Sequence, residues 1–218
     1  MLVEGQSEEL FVKQTLEPYL AQRGVYVQPP VVLWTKRLAS GGGYRGGVSN
    51  WEKIRKNLLP LTHDSNAWVT TLLDFYGLPD DVPGYHEAHG LANPRDKVNR
   101  LEAQLAAEIN QPRFIPFLAL HEFEAWVFAA PEVLAAHFDR ANLAEKIQQA
   151  VDYAGEPELI NHGFTSHPKA RLKALCTGYK ETLDGPAVMS KIGIPAIRTA
   201  CPHFAAWLDR LETLARAV

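Results

Sequence analysis

Short apolar segments alternate with helical patterns over the first 130 residues. The segment AWVTTLLDF, Ala67 to Phe75, is almost wholly apolar or β-branched, which is typical of a strand buried on both faces of a parallel sheet. VYVQPPVVLWTKR predicts a second strand with Pro29 and Pro30 at its edge or start. RFIPFLALHEFEAWVF predicts a further strand that runs into a helix near Ala125.

Helical periodicity fills the intervals between these segments. Ser7 is a candidate cap for a first helix, NWEKIRKNLLPL predicts a helix that begins at Asn50, and an apolar stripe predicts a helix from Pro94 to Ile109. We therefore predict an α/β fold: a mainly parallel sheet flanked by helices over residues 1–130. Residues 131–218 are predicted to form a mostly helical portion packed on the same domain.

Composition restricts the class of protein. With 46% hydrophobic residues among 218, the chain can bury a large core and is a globular protein. No apolar run approaches the roughly 18 residues of a membrane span, so we expect no membrane association and a cytoplasmic location. Cys176 and Cys201 are the only cysteines, which excludes a disulfide framework and a zinc ribbon.

The net charge of −3 conceals two basic stretches, within residues 34–57 and 163–198. The acidic residue of the first stretch is Glu52, and its basic residues are Lys36, Arg37, Arg45, Lys53, Arg55 and Lys56. The acidic residues of the second stretch are Glu181 and Asp184, and its basic residues are Lys169, Arg171, Lys173, Lys180, Lys191 and Arg198. Such stretches can line a groove for a polyanion, although charge alone favours two solvated faces.

Carboxylates stand at the ends of the predicted strands. Glu4 follows the first strand and Asp74 ends a buried one, at the sheet edge where ligands of α/β proteins bind. Glu122 and Glu124 share a face if HEFEAW is extended, and diverge by about 200° on a helix. Carboxylates gathered there would require a hard cation such as Mg²⁺ or Mn²⁺. Taken singly, each acid can also be a surface residue, a loop cap or the partner of a lysine.

A glycine-rich segment and a histidine give weaker indications of function. SGGGYRGG lacks the Lys-Ser/Thr ending of a P-loop, so we interpret it as a substrate-contacting loop or a plain mobile loop. His121 would point away from Glu122 on a strand, which favours a packed histidine, or one that supports a ligand, over a metal ligand.

Four motifs resemble a known family. VEGQSEELFV resembles the first motif of the toprim fold, in which a glutamate ends the first strand. LLDFYGLP, HEFEAWVF and GYKETLDGPAVMSKIGIPAIRTACPHFAAWL resemble the bacterial family called domain of unknown function 4276 (DUF4276), which is related to toprim proteins. The resemblance implies a four-stranded, mostly parallel toprim core and Mg²⁺-dependent chemistry on nucleic-acid phosphodiesters. Because related overcoming-lysogenisation-defect nucleases often occur beside an ATPase, it also implies an ATPase partner.

The resemblance carries over to particular positions. Glu4 matches the motif glutamate, and Asp74 matches the first aspartate of an Asp-x-Asp motif. Tyr76 replaces the second aspartate, and Glu122 or Glu124 is expected to fill its place. The first strand is also short, because only three residues precede Glu4.

The prediction is therefore a metal-dependent nuclease acting on DNA, with a role in phage defence. Glu4, Asp74 and Lys180 are the predicted catalytic residues, Lys180 by stabilising charge on the phosphate or, alternatively, by contacting the nucleic-acid backbone. Glu4, Asp74, Glu122 and Glu124 are the predicted ligands of Mg²⁺ or Mn²⁺. The predicted nucleic-acid contacts are Lys36, Arg37, Arg45, Lys169, Arg171, Lys173 and Lys191. The alternative is a catalytically degenerate nucleic-acid-binding or regulatory subunit of an ATPase complex.

Overall fold

A computed structural model describes residues 1–37, 43–45, 49–160 and 166–216. The side chains of residues 34–37, 43–45 and 216 lie outside the description. Within the described ranges, the strands are β1 (Leu2–Val3), β2 (Val31–Val32), β3 (Trp34–Arg37), β4 (Gly43–Arg45), β5 (Val69–Asp74), β6 (Phe114–Ile115) and β7 (Leu118–Ala119).

Helices make up most of the remaining described chain. The α-helices are α1 (Gln6–Phe11), α2 (Glu17–Ala21), α3 (Trp51–Leu58), α4 (Tyr85–His89), α5 (Pro94–Ile109), α6 (Pro131–His137), α7 (Ala141–Ala154), α8 (Pro168–Leu175), α9 (Glu181–Ile192), α10 (Ile194–Ala200) and α11 (Pro202–Thr213). A π-helix (Val12–Leu16) joins α1 to α2, and 3₁₀ segments cover Leu59–His63, Phe123–Ala129, Pro157–Leu159 and Leu214–Arg216. Among the described residues, no helix is long and apolar enough to cross a membrane.

Five of the described strands form one parallel sheet, in the order β2-β1-β5-β6, with β7 also paired to β5. All six residues of β5 are buried, as expected for a strand covered on both faces. Pro116 interrupts the strand that pairs with β5, because it has no N–H to donate. The Thr71 hydroxyl bridges the gap: it accepts from the Phe117 amide and donates to the Phe117 carbonyl, both at 2.8 Å.

The predicted α/β class with a parallel sheet and flanking helices is confirmed. AWVTTLLDF contains β5, and the predicted α5 is present from Pro94 to Ile109. The helix predicted to begin at Asn50 is also confirmed, since the Asn50 side chain accepts a hydrogen bond from the Lys53 amide at 3.0 Å. The toprim topology stays a prediction.

Three local predictions need correction. VYVQPPVVLWTKR is not one strand: residues 25–30 are irregular, and β2 and β3 belong to different sheets. Within SGGGYRGG, Gly43–Arg45 form β4, which pairs antiparallel with β3, and the other residues lie outside the described ranges. The helix predicted near Ala125 is a 3₁₀ helix that begins at Phe123.

The chain divides into two compact units. The first comprises Met1–Glu9 and Gln28–Ala119 and contains the parallel sheet. The second comprises Leu10–Val27 and Leu120–Val218 and is largely helical. The predicted division at residue 130 stays a prediction.

An aromatic core lies inside the second unit. The ring of Phe11 lies 5.4 Å from those of Phe123 and Trp126, and the Trp126 ring lies 4.7 Å from that of Phe204. All four side chains are at most 1% exposed. Burial of these large rings against one another supplies a major part of the apolar stabilisation of this unit.

Candidate metal centre

Two strand ends establish the position of the acidic residues. Asp74, the last residue of β5, is the ladder partner of Ala119, the last residue of β7. The Phe75 amide continues this pairing by donating to the Ala119 carbonyl at 3.0 Å. Because parallel strands end at the same edge of the sheet, the chain that follows Ala119 starts beside Asp74.

A tight turn then leads to Glu122. His121 has a φ of 65°, in the left-handed region that few residues other than glycine adopt, and the Glu122 amide donates to the Leu120 carbonyl at 3.0 Å. His121 is itself 1% exposed, which agrees with its interpretation as a packed histidine. Backbone outliers of this kind concentrate at functional sites, where the surrounding packing maintains them.

Asp74, Glu122 and Glu124, here called the acidic group, are brought together and buried. Each offers one carboxylate oxygen, and these oxygens lie within 4.8 Å of one another. Oxygens on opposite sides of one Mg²⁺ are about 4.2 Å apart, so only a small contraction would give a common ion. A carboxylate-only donor set suits a hard divalent cation, and the acidic group is therefore a candidate metal site.

Glu122 and Glu124 meet in a way that differs from the expected extended pair. Glu122 is extended, with a φ of −146°, whereas Glu124 lies in the first turn of the 3₁₀ helix. The pairing therefore does not require a strand through HEFEAW. The change from extended to 3₁₀ backbone between the two residues is what places both carboxylates in the acidic group.

Glu4 supports the backbone of Asp74. Its Oε2 accepts a hydrogen bond from the Asp74 amide at 3.0 Å, and its own amide donates to the Leu72 carbonyl at 3.1 Å. Among the described residues, the set with mutually close ligand atoms consists of Asp74, Glu122 and Glu124. Glu4 is thus adjacent to the acidic group through the main chain, and its role as a direct ligand stays a prediction.

The start of α1 is organised by Gly5 and Glu8. The helix begins at Gln6, so the prediction that Ser7 caps it is wrong. Instead the Gly5 carbonyl accepts from the Glu9 amide at 3.1 Å, and Glu8 Oε2 accepts from the Gly5 amide at 2.8 Å. This is the glutamate half of a capping box, and it fixes the turn that follows Glu4.

Cationic and polar groups from α8 and the residue before it surround the glutamates. His167 Nδ1 lies 2.8 Å from Glu122 Oε2, and the Lys169 amide donates to the same oxygen at 3.0 Å. The Lys169 ammonium lies 4.0 Å from Glu122, 3.7 Å from Glu124 and 3.5 Å from Glu181. Lys169 therefore compensates part of the negative charge of these carboxylates.

Glu181 contacts two lysines of α8. It forms an ion pair with Lys173 in addition to its contact with Lys169. Burial acts to raise the pKa of Glu181, but the hydrogen bond from Lys173 and the charge of Lys169 outweigh burial and hold the pKa below its usual value. Glu181 is therefore ionised at neutral pH.

Other predicted site residues lie apart from these contacts. Lys180 and Lys191 are exposed; the Lys180 amide donates to Asp184 at 2.6 Å, and the Lys191 ammonium lies 3.0 Å from His137 Nδ1. Arg171 donates to the Ser166 carbonyl at 2.6 Å. The side chains of three more lie outside what the structure describes: Lys36, Arg37 and Arg45. For all of them, nucleic-acid contact or catalysis stays a prediction.

Sequence reasoning missed two residues near the glutamates: His167 and Glu181. The sequence His-Pro-Lys did carry a signal, since Pro168 is a typical first residue of a helix, whose free amide groups attract carboxylates. No local pattern indicated that Glu122, 45 residues before His167, would be that carboxylate.

A cavity of about 470 Å³ lies elsewhere in the first unit. Its lining includes His63, Val69 and Arg113. Val69 begins β5 and Asp74 ends it, so the cavity is at the strand end opposite the acidic group. It offers no support for the metal site.

Comparison with known proteins identifies a family. The family model described as "Domain of unknown function (DUF4276)" matches residues 3–212, nearly the whole chain. No curated protein and no solved structure gave a significant match. The resemblance drawn from the motifs is thereby confirmed at the level of the family, whereas the relation to toprim proteins and nucleases stays a prediction.

Proposed function

We propose that this chain, which belongs to the DUF4276 family, is a metal-dependent nuclease that hydrolyses phosphodiesters of DNA. The observation that carries the proposal is the acidic group, in which three buried carboxylates offer close oxygens. Mg²⁺ or Mn²⁺ bound there would supply the polarisation of phosphate oxygens and the activation of water that phosphodiester hydrolysis needs.

Electrostatics supports a bound cation. Three carboxylates at most 8% exposed repel one another strongly, because burial weakens screening by water. Lys169 and His167 offset part of this repulsion at the two glutamates. A dication coordinated by all three would offset more of it, so cation binding is expected to stabilise the fold.

The residues have distinct proposed roles. Asp74, Glu122 and Glu124 hold the ion, and Glu4 keeps the Asp74 main chain in place. Exposed basic residues of the second basic stretch then contact the nucleic-acid backbone: Lys173, Lys180 and Lys191. Each phosphate neutralised by such a lysine releases counterions, so DNA affinity is expected to fall steeply with salt.

A regulatory or binding subunit is the second candidate, and two observations favour it. Tyr76 stands where the resemblance calls for a second aspartate, which removes one carboxylate from that motif. The Lys169 ammonium already contacts Glu122 and Glu124, so an internal cation partly takes the place of an external one. In this alternative the protein binds nucleic acid for an ATPase complex without cutting it. An ATPase partner and a role in phage defence rest on the resemblance alone.

The central experiment measures DNA cleavage with Mg²⁺ or Mn²⁺ and with EDTA. Metal-dependent cleavage that is lost in Asp74→Asn would support the nuclease, because that substitution removes one charged ligand. Asp80→Asn is the matched control, since Asp80 is exposed in the loop after β5. The assay includes any ATPase encoded beside the gene. Wild-type protein that binds DNA but leaves it intact with metal and ATPase present would favour the subunit.

Lys180→Ala separates catalysis from binding. If Lys180 contacts only the nucleic-acid backbone, its loss weakens DNA binding and reduces the salt dependence, with the rate at saturating DNA unchanged. If Lys180 stabilises charge on the scissile phosphate, that saturated rate falls instead. Lys146→Ala, on the exposed face of α7, is the control for general loss of positive charge.

A further inference from the structure

Tyr179 presents a buried hydroxyl that the protein itself does not satisfy. The residue is 7% exposed, and within the described ranges its oxygen has no hydrogen-bond partner. Buried tyrosine hydroxyls normally find one, because their desolvation is costly without it. An unmet donor of this kind calls for an explanation such as a ligand or a water that completes it.

The fold keeps space open for this hydroxyl. Gly185 lies inside α9, where glycine is less favourable than alanine. A Cβ added at Gly185 would lie 2.9 Å from the Tyr179 oxygen, closer than side chains normally approach. Glycine at this position therefore preserves the location of the hydroxyl at a cost to helix stability.

Tyr179 lies two residues before Glu181, and the Lys169 ammonium contacts both the Glu181 carboxylate and Glu124 of the acidic group, at 3.5 Å and 3.7 Å. Burial, followed by the negative charges of Glu124, Glu181 and Asp184, raises the pKa of Tyr179 well above its usual range. The phenol therefore keeps its proton and offers a hydrogen-bond donor. Among acidic neighbours, an anion that accepts from it would need to bind together with a cation.

We propose that the Tyr179 hydroxyl donates a hydrogen bond to a phosphate oxygen of the ligand, on the Glu124 side of the acidic group. This inference rests on the proposed function and names one further ligand-binding residue for it. The divalent ion and the phosphate bind together, and Tyr179 supplies a neutral donor where a second lysine would compete with the metal for the carboxylates.

The test measures binding rather than cleavage. Mg²⁺ is titrated into wild-type protein and Tyr179→Phe by calorimetry, and inorganic phosphate is then titrated into each Mg²⁺-saturated protein. Tyr179→Phe is expected to bind Mg²⁺ within about twofold of wild type and phosphate about tenfold more weakly, the loss of one hydrogen bond to a charged oxygen. Tyr153→Phe is the matched control, because Tyr153 is 86% exposed on α7.

Gly185→Ala provides a second variant. Its methyl group would displace the Tyr179 hydroxyl, so phosphate affinity is expected to fall as in Tyr179→Phe. Combining the two substitutions should add nothing, since the hydroxyl is then already absent. Tyr179→Phe should also melt at no lower temperature than wild type, because the lost hydroxyl has no partner among the described residues. A lower melting temperature with unchanged phosphate affinity would indicate a structural role only and overturn the inference.

The possible failures are distinguishable. Wild-type protein that does not bind Mg²⁺ would overturn the proposed function and this inference with it. Mg²⁺ binding with equal phosphate affinity in wild type and Tyr179→Phe would show that the hydroxyl contacts only water. That result would overturn the inference and leave the metal site in place.

Discussion

The carboxylate of Glu4 accepts a hydrogen bond from the main-chain amide of Asp74, 70 positions later in the chain, at 3.0 Å. The bond joins the ends of β1 and β5, where the Glu4 amide also extends the ladder to the Leu72 carbonyl. Glu4 thereby acts on the position of Asp74, while Asp74 contributes its own carboxylate to the acidic group. The two residues are expected to respond differently to substitution.

Glu4→Ala and Glu4→Gln distinguish two roles of Glu4: accepting the hydrogen bond from the Asp74 amide and binding the metal ion directly. Alanine leaves the part-buried Asp74 amide without its acceptor and is expected to cost about 1–3 kcal/mol of unfolding free energy, measured with urea. Glutamine keeps an acceptor oxygen, so it should retain most of the stability and Mg²⁺ affinity. A loss of Mg²⁺ binding in Glu4→Gln as large as in Asp74→Asn would instead establish Glu4 as a direct ligand.

Asp74→Asn is expected to weaken Mg²⁺ binding by at least about tenfold, because it removes one of three charged donors. Without metal, the variant should be at least as stable as wild type, since the substitution relieves repulsion among buried carboxylates. Calorimetric titration and thermal melting with and without Mg²⁺ measure both effects, and Asp80→Asn serves as the control. Unchanged Mg²⁺ affinity in Asp74→Asn would exclude Asp74 as a ligand.

Lys169→Met tests the internal cation. Without metal, the variant is expected to lose on the order of 2 kcal/mol of stability, less than a fully buried pair would because Lys169 is partly exposed. Added Mg²⁺ should then raise its melting temperature more than that of wild type, because the ion replaces the missing charge. Lys173→Met is the matched control, since Lys173 contacts Glu181 and is more exposed. Equal Mg²⁺-induced shifts in all three proteins would contradict the compensating role.

Glu158 predicts a pH dependence that is independent of the metal site. Its buried carboxyl accepts hydrogen bonds from the amides of His203 and Phe204, at 2.7 Å and 3.0 Å, in the first turn of α11. Burial raises its pKa above the ordinary 4.5, although the two amide hydrogen bonds act in the opposite direction. The folded state therefore holds the proton more tightly than the unfolded state does.

The contribution of the raised pKa of Glu158 is thus complete below about pH 4.5 and declines as the pH rises through the folded-state pKa. Urea unfolding between pH 4 and pH 8 is expected to show a stability advantage of wild type over Glu158→Gln that shrinks with rising pH. Glu145→Gln, at an exposed position on α7, is the matched control for the removal of one carboxylate. An advantage that grows with pH would show that the native pKa is lowered instead.

The local sequence predicted those strands and helices that form because of residues within the same segment. The apolar run before Asp74 predicted β5 correctly, because a strand buried on both faces needs apolar residues at every position. Asn50 and the stripe of α5 likewise predicted helices, since capping and 3.6-residue periodicity act within a few residues. The short strands and the 3₁₀ helix at Phe123 were less predictable, because pairing and packing with distant segments decide them.

For the candidate site, too, the local sequence predicted one part and the tertiary structure decided the other. Sequence alone indicated that carboxylates stand at the strand ends, and so predicted Glu4, Asp74, Glu122 and Glu124 as ligands, of which the last three form the acidic group. Their proximity was decided by the pairing of Asp74 with Ala119 and by the turn at His121, neither of which leaves a local pattern. The partner of Lys169 was likewise not predictable, because the number of basic residues in a stretch does not tell whether a given lysine contacts solvent, DNA or a carboxylate. Only the tertiary structure brings its ammonium to Glu122 and Glu124, because charges interact across space and not along the chain.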